Sequence, residues 1–268
     1  PAAAAKWAAE AESGTKYWNA VAEAAARPWT AFARPARLRQ AQERLRRARK
    51  ILVVSGAGLS TESGIPDYRT GAVAWKKYDV EHFRWERFLA SEESRRRYWE
   101  MSQDFYLLLR TAEPNAAHRA VAELHRRGKL LAVVTQNVDR LHQKAGVPDD
   151  LVIEIHGNEH GVTCLSCGRR TSRDAVYRRV AAGAAVPYCT TCQGVLKPDS
   201  TAFGQPMLEE PSRRALAAAA EADLVLVVGT SLTVQPAAAL PLVALRRGTP
   251  LLIVNLTPTD LDFLADVV

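Results

Sequence analysis

The chain has 268 residues, which is enough to bury one substantial core together with a small second domain. Its net charge of +7 argues for no particular partner, because the basic side chains are scattered and form no stripe interleaved with aromatics. No apolar run approaches the length of a membrane span, and the first residues lack the pattern of a secretory signal. We therefore expect a cytoplasmic protein with no membrane partner and no specific nucleic-acid partner.

The apolar pattern predicts strands that alternate with helices. An Ala-rich stretch with scattered aromatics predicts a helical N-terminal tail, and an amphipathic helix is predicted to follow from Pro35. The run Ile51 to Val54 then predicts a buried parallel strand. Later apolar runs predict further strands near residues 130–134, 153–155, 224–228 and 251–255, with helices between them. This alternation predicts an α/β fold, a Rossmann-like parallel sheet with helices on both faces.

A glycine-rich loop follows the first predicted strand. Gly56 and Gly58 flank the small Ala57, so the backbone can turn tightly and approach a ligand closely. A strand that leads into such a loop is how α/β folds hold a pyrophosphate, although a G-x-G alone equally fits a plain tight turn. A third glycine, Gly64, leads into I-P-D-Y-R at residues 65–69, which places a carboxylate and a guanidinium in one loop.

Polar residues follow the second and third predicted strands. The run T-Q-N-V-D occupies residues 135–139, and His156 comes directly after the third strand. Parallel sheets place ligand contacts at the carboxyl ends of their strands. For the run at 135–139, the alternative is a polar turn that caps the helix from Arg140. For His156, the alternative is a structural role. His160 is interpreted as a polar loop residue.

The four cysteines form two C-x-x-C pairs. The first C-x-x-C consists of Cys164 and Cys167, and the second consists of Cys189 and Cys192. Each pair can place two thiolates on one tight knuckle, and two knuckles complete a tetrahedral zinc site. Disulfides are the alternative, which the missing secretion signal disfavours. Four thiolates leave no open coordination position, so the zinc is predicted to be structural.

Residues 56–69, G-A-G-L-S-T-E-S-G-I-P-D-Y-R, resemble the signature of the sirtuins, the NAD-dependent protein deacylases, and only Tyr68 departs from it. The runs at 135–139, 153–157 and 196–205 resemble further sirtuin motifs, and the similarity extends over residues 38 to 266. The branch that it resembles most is the bacterial and mitochondrial class II. The resemblance implies a reaction in which the acyl oxygen of an acyl-lysine attacks the nicotinamide ribose and nicotinamide leaves. The products are free lysine and O-acyl-ADP-ribose.

The resemblance also implies roles for individual residues. His156 is expected to be the general base toward the ribose hydroxyls, with Asn137 beside it as a catalytic residue. The acyl-lysine peptide is expected to add as a strand that pairs with Ala202, Phe203 and Gly204. The residues expected to contact NAD are Gly56, Ala57, Gly58, Ser60, Glu62, Asp67, Tyr68, Arg69, Gln136, Asn137, Val138, Asp139, Gly229, Thr230, Ser231, Asn255, Leu256 and Thr257.

The segment expected to bind the peptide departs most from the family. Ser200, Thr201 and Ala202 break its apolar run, and Gln205 stands where the family has an acid. The acyl group itself is expected to be neutral. Sirtuins that prefer succinyl or malonyl groups carry a Tyr and an Arg three residues apart in the helical module. Here Met101 follows Tyr98 at that spacing and Leu109 follows Tyr106, so we expect acetyl or longer neutral groups.

The family pattern implies a division into three parts: an N-terminal helical tail (1–37), an NAD-binding domain (38–75, 113–157 and 208–268) and a small domain of helical module plus zinc ribbon (76–112 and 158–207). The oligomeric state is left open. Three alternative functions also stay open, namely protein mono-ADP-ribosylation, a non-catalytic NAD-sensing scaffold and a dehydrogenase. The last is disfavoured because the glycine loop is not G-x-G-x-x-G.

Overall fold

The computed structural model describes residues 34–67 and 79–268. Residues 1–33 of the predicted N-terminal tail therefore lie outside the described residues, and so do Tyr68 and Arg69 of the predicted cofactor loop. Within the described ranges, no helix combines the length and the apolar character needed to cross a membrane.

A five-stranded parallel sheet forms the centre of the larger unit, in the order β3-β2-β1-β7-β8. Its strands are β1 (Ile51–Ser55), β2 (Leu130–Thr135), β3 (Val152–Glu154), β7 (Leu224–Val228) and β8 (Leu251–Val254). A smaller antiparallel sheet contains β4 (Gly161–Cys164), β5 (Arg170–Ser172) and β6 (Leu196–Pro198), in the order β5-β4-β6. The predicted Rossmann-like α/β fold is confirmed.

The helices are α1 (Arg34–Arg47), α2 (Trp85–Ala90), α3 (Glu92–Thr111), α4 (Ala116–Arg126), α5 (Leu141–Lys144), α6 (Arg173–Ala181), α7 (Glu209–Glu221) and α8 (Leu240–Leu245). Short 3₁₀ turns lie at Ala57–Leu59, Thr61–Ser63, Val80–Phe83, Asp149–Leu151, Ala237–Ala239 and Asp262–Leu264.

Strand β1 shows why the sheet can be predicted from apolar runs. It pairs with β2 on one side and with β7 on the other, and every one of its residues is buried. Leu52 and Val54 share an apolar cluster with α7 and α8, whereas Ile51 and Val53 share another with α1 and α4. Because helices cover both faces, both sets of alternating side chains must be apolar.

The smaller sheet shares its core with the helices that precede it. Phe88 of α2 and Trp99 of α3 belong to one apolar cluster with Val162 of β4, Val176 of α6 and Leu196 of β6. The segment before α4 and the cysteine-bearing segment after His156 therefore pack on each other, although they are far apart in the sequence. The exact domain boundaries stay a prediction.

Two predicted elements are shorter in the structure. The helix predicted between the strands at 224–228 and 251–255 is a 3₁₀ turn followed by α8, because Pro241 has no N–H with which to join the two turns. The strand expected to extend through 202–204 ends at Pro198. Beyond it, Gln205 N–H donates to Ala202 O over 3.0 Å, and Gly204 adopts a φ of 81°, so the chain turns there.

Candidate functional site

The loops that leave the carboxyl ends of β1 and β7 touch each other through glycines. Gly58 N–H donates to Gly229 O over 2.8 Å, and Gly56 N–H donates to Val228 O over 3.2 Å. A Cβ atom on Gly229 would lie 2.2 Å from Leu59 N, and one on Gly58 would lie 2.9 Å from Gly229 O. These glycines are therefore required for the contact between the two loops, in addition to the ligand approach predicted for them.

Asn137, which follows β2, is fixed against the glycine loop. Its Nδ2 donates to Gly56 O and to Ser60 Oγ, each over 3.0 Å, and its backbone N–H donates to Thr135 Oγ1 over 3.1 Å. The side chain is buried. The loops after β1 and β2 thus hold this amide in one orientation.

Asp139 completes that network. Its Oδ2 accepts a hydrogen bond from Ser60 Oγ over 2.7 Å, and its Oδ1 accepts one from Leu141 N–H over 2.9 Å. The carboxylate is buried, and both of its oxygens have a donor, as buried polar groups require. Three residues predicted from two separate motifs, Ser60 in one and Asn137 and Asp139 in the other, therefore form one connected cluster.

His156 lies beside the same loop, just past the end of β3. Its Nδ1 is 3.1 Å from Gln136 O, and because a carbonyl oxygen only accepts, Nδ1 carries the proton and Nε2 keeps a lone pair. Burial lowers the pKa of His156, and the bond to the Gln136 carbonyl opposes this shift in part. The imidazole is therefore neutral at neutral pH, which is the state a general base needs.

Gln136 and Thr230 connect the loops after β2 and β7. Gln136 Nε2 donates to Thr230 Oγ1 over 2.9 Å, and the same oxygen accepts Leu232 N–H over 3.2 Å. Ser231 Oγ lies 3.0 Å from Thr233 Oγ1. The contacts of Gln136, Thr230 and Ser231 with NAD stay predictions.

Other predicted NAD residues follow β8 or lie in the loops after β1 and β2. Asn255 follows β8 and donates from Nδ2 to Thr257 O over 2.8 Å, whereas the side chain of Leu256 is almost fully exposed. Glu62 is exposed in the loop after β1, and Asp67 is the last described residue of that loop before the gap. Val138 lies between the two buried polar residues Asn137 and Asp139.

A buried histidine pair, which has no predicted catalytic role, lies beside this network. The rings of His118 and His142 are 5.1 Å apart, and His142 Nε2 is 2.9 Å from Ser55 Oγ at the end of β1. Burial lowers the pKa of His118 to about 4 and that of His142 to about 3, so both rings are neutral. The available sequence signal is the spacing of Asn115 and His118, which form the capping box of α4.

The four cysteines form a cluster suited to a metal. All four Sγ atoms lie within 4.8 Å of one another, with Cys164 and Cys192 at 3.5 Å and Cys167 and Cys189 at 3.8 Å. Tetrahedral zinc with Zn–S bonds of about 2.3 Å requires sulfur atoms roughly 3.8 Å apart, which these distances match. The donor set therefore fits a structural zinc ion.

The two cysteine knuckles have the same backbone design. In the first, Gly168 has a φ of 71° and donates its N–H to Cys164 O over 2.9 Å. In the second, Gln193 has a φ of 58° and donates its N–H to Cys189 O, also over 2.9 Å. Each C-x-x-C is thus closed by one residue in the left-handed conformation.

The segment expected to bind the peptide lies against His156. Thr201 N–H donates to His156 O over 2.7 Å, and Phe203 O accepts Trp85 N–H from α2 over 2.9 Å. Ala202 N–H donates to Gln205 Oε1 over 3.0 Å. The glutamine that stands where the family has an acid therefore caps a backbone group of this segment. Phe203 is 62% exposed.

Comparison with known proteins identifies the family. The Sir2 family model matches residues 56–236, which is more than half of the chain. An NAD-dependent protein deacetylase 2 of Streptomyces coelicolor is 44% identical over 81% of this chain and 90% of its own length. An NAD-dependent protein deacetylase 1 of Bradyrhizobium diazoefficiens is 41% identical over 86% of this chain and 91% of its own. The chain belongs to the Sir2 family.

Solved Sir2 structures agree with this assignment. Sir2Tm bound to a propionylated peptide has a TM-score of 0.78 at 33% identity and covers 86% of this chain and 91% of its own. A Sir2 variant with a deacetylated peptide and 3'-O-acetyl ADP ribose has a TM-score of 0.79 at 34% identity, with 86% and 91% covered. In this Sir2 chain the matched residues include the glycine loop, His156 and all four cysteines.

Proposed function

We propose that this chain is an NAD-dependent protein-lysine deacylase that transfers the acyl group to ADP-ribose and releases nicotinamide. The observation that carries the proposal is the convergence of Ser60, Asn137, Asp139 and His156 at the carboxyl edge of the sheet, in a chain 35–44% identical to proteins named NAD-dependent protein deacetylases. NAD supplies the electrophilic ribose carbon and the nicotinamide leaving group. The substrate is an acyl-lysine in a protein or peptide.

Each residue then has a definite task. His156 Nε2 accepts a proton from a ribose hydroxyl, because its Nδ1 proton is committed to Gln136 O. Asn137 and Asp139 line the nicotinamide pocket, held in place by Ser60. The loop after β7 faces the phosphates with Thr230 and Ser231, and the loop after β8 faces the adenosine ribose with Asn255. Ala202, Phe203 and Gly204 lie along the bound peptide.

The zinc proposed for Cys164, Cys167, Cys189 and Cys192 is structural, and it ties the two knuckles into one rigid unit. Four thiols arranged as metal ligands require a reducing compartment, so we also propose a cytoplasmic location. Fractionation of cells that express the tagged chain tests the location, with extracytoplasmic recovery as the contradicting result.

The test of the function is a panel of acyl-peptides incubated with NAD and read by mass spectrometry. We expect deacylated peptide, nicotinamide and O-acyl-ADP-ribose in equal amounts. ADP-ribose that stays on protein would instead indicate mono-ADP-ribosylation, and NAD binding without nicotinamide release would indicate a sensing scaffold. An absorbance change at the reduced-cofactor wavelength would indicate a dehydrogenase.

A further inference from the structure

Glu159 is a buried carboxylate in the loop that follows His156, and only 4% of its surface is exposed. Its backbone N–H donates to Val138 O over 3.1 Å, which places it beside the loop that carries Asn137 and Asp139. A carboxylate this deeply buried is tolerated only beside cations or hydrogen-bond donors. The groups around Glu159 therefore indicate what it does.

One partner of Glu159 is the buried cation Arg173, the first residue of α6. Its guanidinium carbon lies 5.0 Å from the ring centre of Trp99 and 4.7 Å from that of Tyr106, and the residue has no exposed surface. Its Nη2 donates to Ser102 O and Ser102 Oγ. Its Nε lies 3.7 Å from Glu159 Oε2, and in the part of the chain that the structure describes no other carboxylate forms an ion pair with it.

The other oxygen of Glu159 reaches the segment expected to bind the peptide. Glu159 Oε1 accepts a hydrogen bond from Ser200 Oγ, and Ser200 lies two residues before Ala202. The carbonyl of Ser200 also accepts a hydrogen bond from Lys197 Nζ, which is itself buried. Ser200 is therefore held between a carboxylate and an ammonium group, and the next residue, Thr201, donates to His156 O.

These contacts form one continuous connection. The aromatic pair Trp99 and Tyr106 on α3 confines Arg173, Arg173 pairs with Glu159, and Glu159 binds Ser200. A charge-assisted hydrogen bond is shorter and stronger than a neutral one, so this connection fixes Ser200 more firmly than a serine in an open loop would be fixed. The irregular backbone after Pro198 can thus keep one conformation without being part of a strand.

We propose that Glu159 is a positioning residue for the acyl-lysine peptide, which acts by fixing Ser200 and with it the backbone of residues 201–204. This proposal rests on the proposed deacylase function. The sequence lacks a continuous apolar strand at Ser200 and Thr201. The polar connection from Glu159 to the helical module takes the place of that strand in fixing the segment. A structural ion pair without this role would affect only folding stability.

The sharpest variant is Ser200→Ala, because it breaks the link to the segment and leaves the ion pair of Glu159 and Arg173 in place. We expect the Kd and KM for an acetyl-lysine peptide to rise about tenfold, the size of one hydrogen bond to a charged group. The KM for NAD and the zinc content should not change. Ser91→Ala is the matched control, since it also removes a hydrogen bond in the helical module, the cap that accepts Ser94 N–H over 3.2 Å.

Glu159→Gln serves as the second variant, measured only on folded, zinc-loaded protein at temperatures well below its Tm. It should weaken peptide binding in the same direction while NAD binding stays unchanged. An active wild-type enzyme whose peptide Kd is unchanged by both Ser200→Ala and Glu159→Gln would overturn the proposal. A wild-type protein that turns over no acyl-peptide would overturn the proposed function instead, so the two failures are distinguishable.

Discussion

The protonation state of His156 follows from a single hydrogen bond. Gln136 O takes the Nδ1 proton, so Nε2 is the atom left to accept a proton, and burial lowers the pKa of the ring below its ordinary 6.5. A base must be deprotonated to act, so its activity rises with pH through its pKa and is constant above it.

We therefore predict that kcat/KM for NAD reaches its plateau below the pH expected of an unperturbed histidine. Activity should be retained at pH 6.5 and should fall only as the pH drops further and the ring is protonated. The measurement is a pH profile of kcat/KM with an acetyl-peptide in excess. An acidic limb with an apparent pKa above 6.5 would show that His156 is not the titrating base.

The acyl preference can also be argued from individual residues. Tyr98 is packed edge-on against Phe88 with ring centres 5.0 Å apart, and it is buried in the aromatic core. The guanidinium over the ring of the other candidate, Tyr106, belongs to Arg173, which Glu159 and Ser102 already engage, and the nearby Arg110 pairs with Asp174. Among the described residues, both of these guanidinium groups are already paired, and burying a succinyl carboxylate without a charge partner is costly.

We accordingly predict a higher kcat/KM for acetyl-lysine and longer neutral acyl-lysines than for succinyl-lysine in the same peptide sequence. The comparison requires one peptide synthesised with each acyl group and assayed at equal NAD. A clear preference for succinyl-lysine would show that this description of the pocket is wrong.

At the scale of elements, the contact between the loops after β1 and β7 can be tested by comparing Gly229, which lies in the contact, with Gly128, which lies outside it. Gly229 and Gly128 have nearly the same backbone angle, φ 62° and 66°, so alanine suffers the same left-handed strain at both. A Cβ on Gly229 would lie 2.2 Å from Leu59 N, whereas one on Gly128 would meet nothing within 4 Å.

Gly128→Ala should therefore lower the free energy of unfolding by about 1–2 kcal/mol and leave NAD binding intact. Gly229→Ala should cost more stability and weaken NAD binding, because the two loops must separate to admit the methyl group. Denaturant unfolding and NAD titration measure both effects. Equal losses of stability with equal NAD affinity would contradict the role assigned to this contact.

The cysteine cluster is the second element whose role can be tested. Cys164→Ser should release zinc and loosen the smaller sheet, because metal binding and local folding share one free energy. Ser166→Ala, in the same knuckle but not a ligand, is the control. Zinc content by mass spectrometry and the Tm should both fall only in the cysteine variant. A chelator that strips the metal without lowering the Tm would contradict a structural role.

For the molecule as a whole, the sheet could be predicted from its sequence because strands buried on both faces must be apolar throughout. The cysteine cluster could be predicted because its spacing is local. The link between Glu159 and Arg173 could not be predicted, since it depends on how α3, α6 and the loop after His156 pack together. The resemblance to the family predicts a strand in the peptide segment. It does not predict the turn there, which depends on the hydrogen bond from Gln205 N–H to Ala202 O.

The most direct test of the whole account compares wild-type protein with His156→Ala, each incubated with NAD and an acetyl-lysine peptide. Mass spectrometry quantifies nicotinamide, deacetylated peptide and O-acetyl-ADP-ribose, and calorimetry measures NAD binding. We expect equal amounts of the three products from the wild type, and no deacetylated peptide or O-acetyl-ADP-ribose from a variant that still binds NAD. Deacetylation by His156→Ala at the wild-type rate would contradict this expectation.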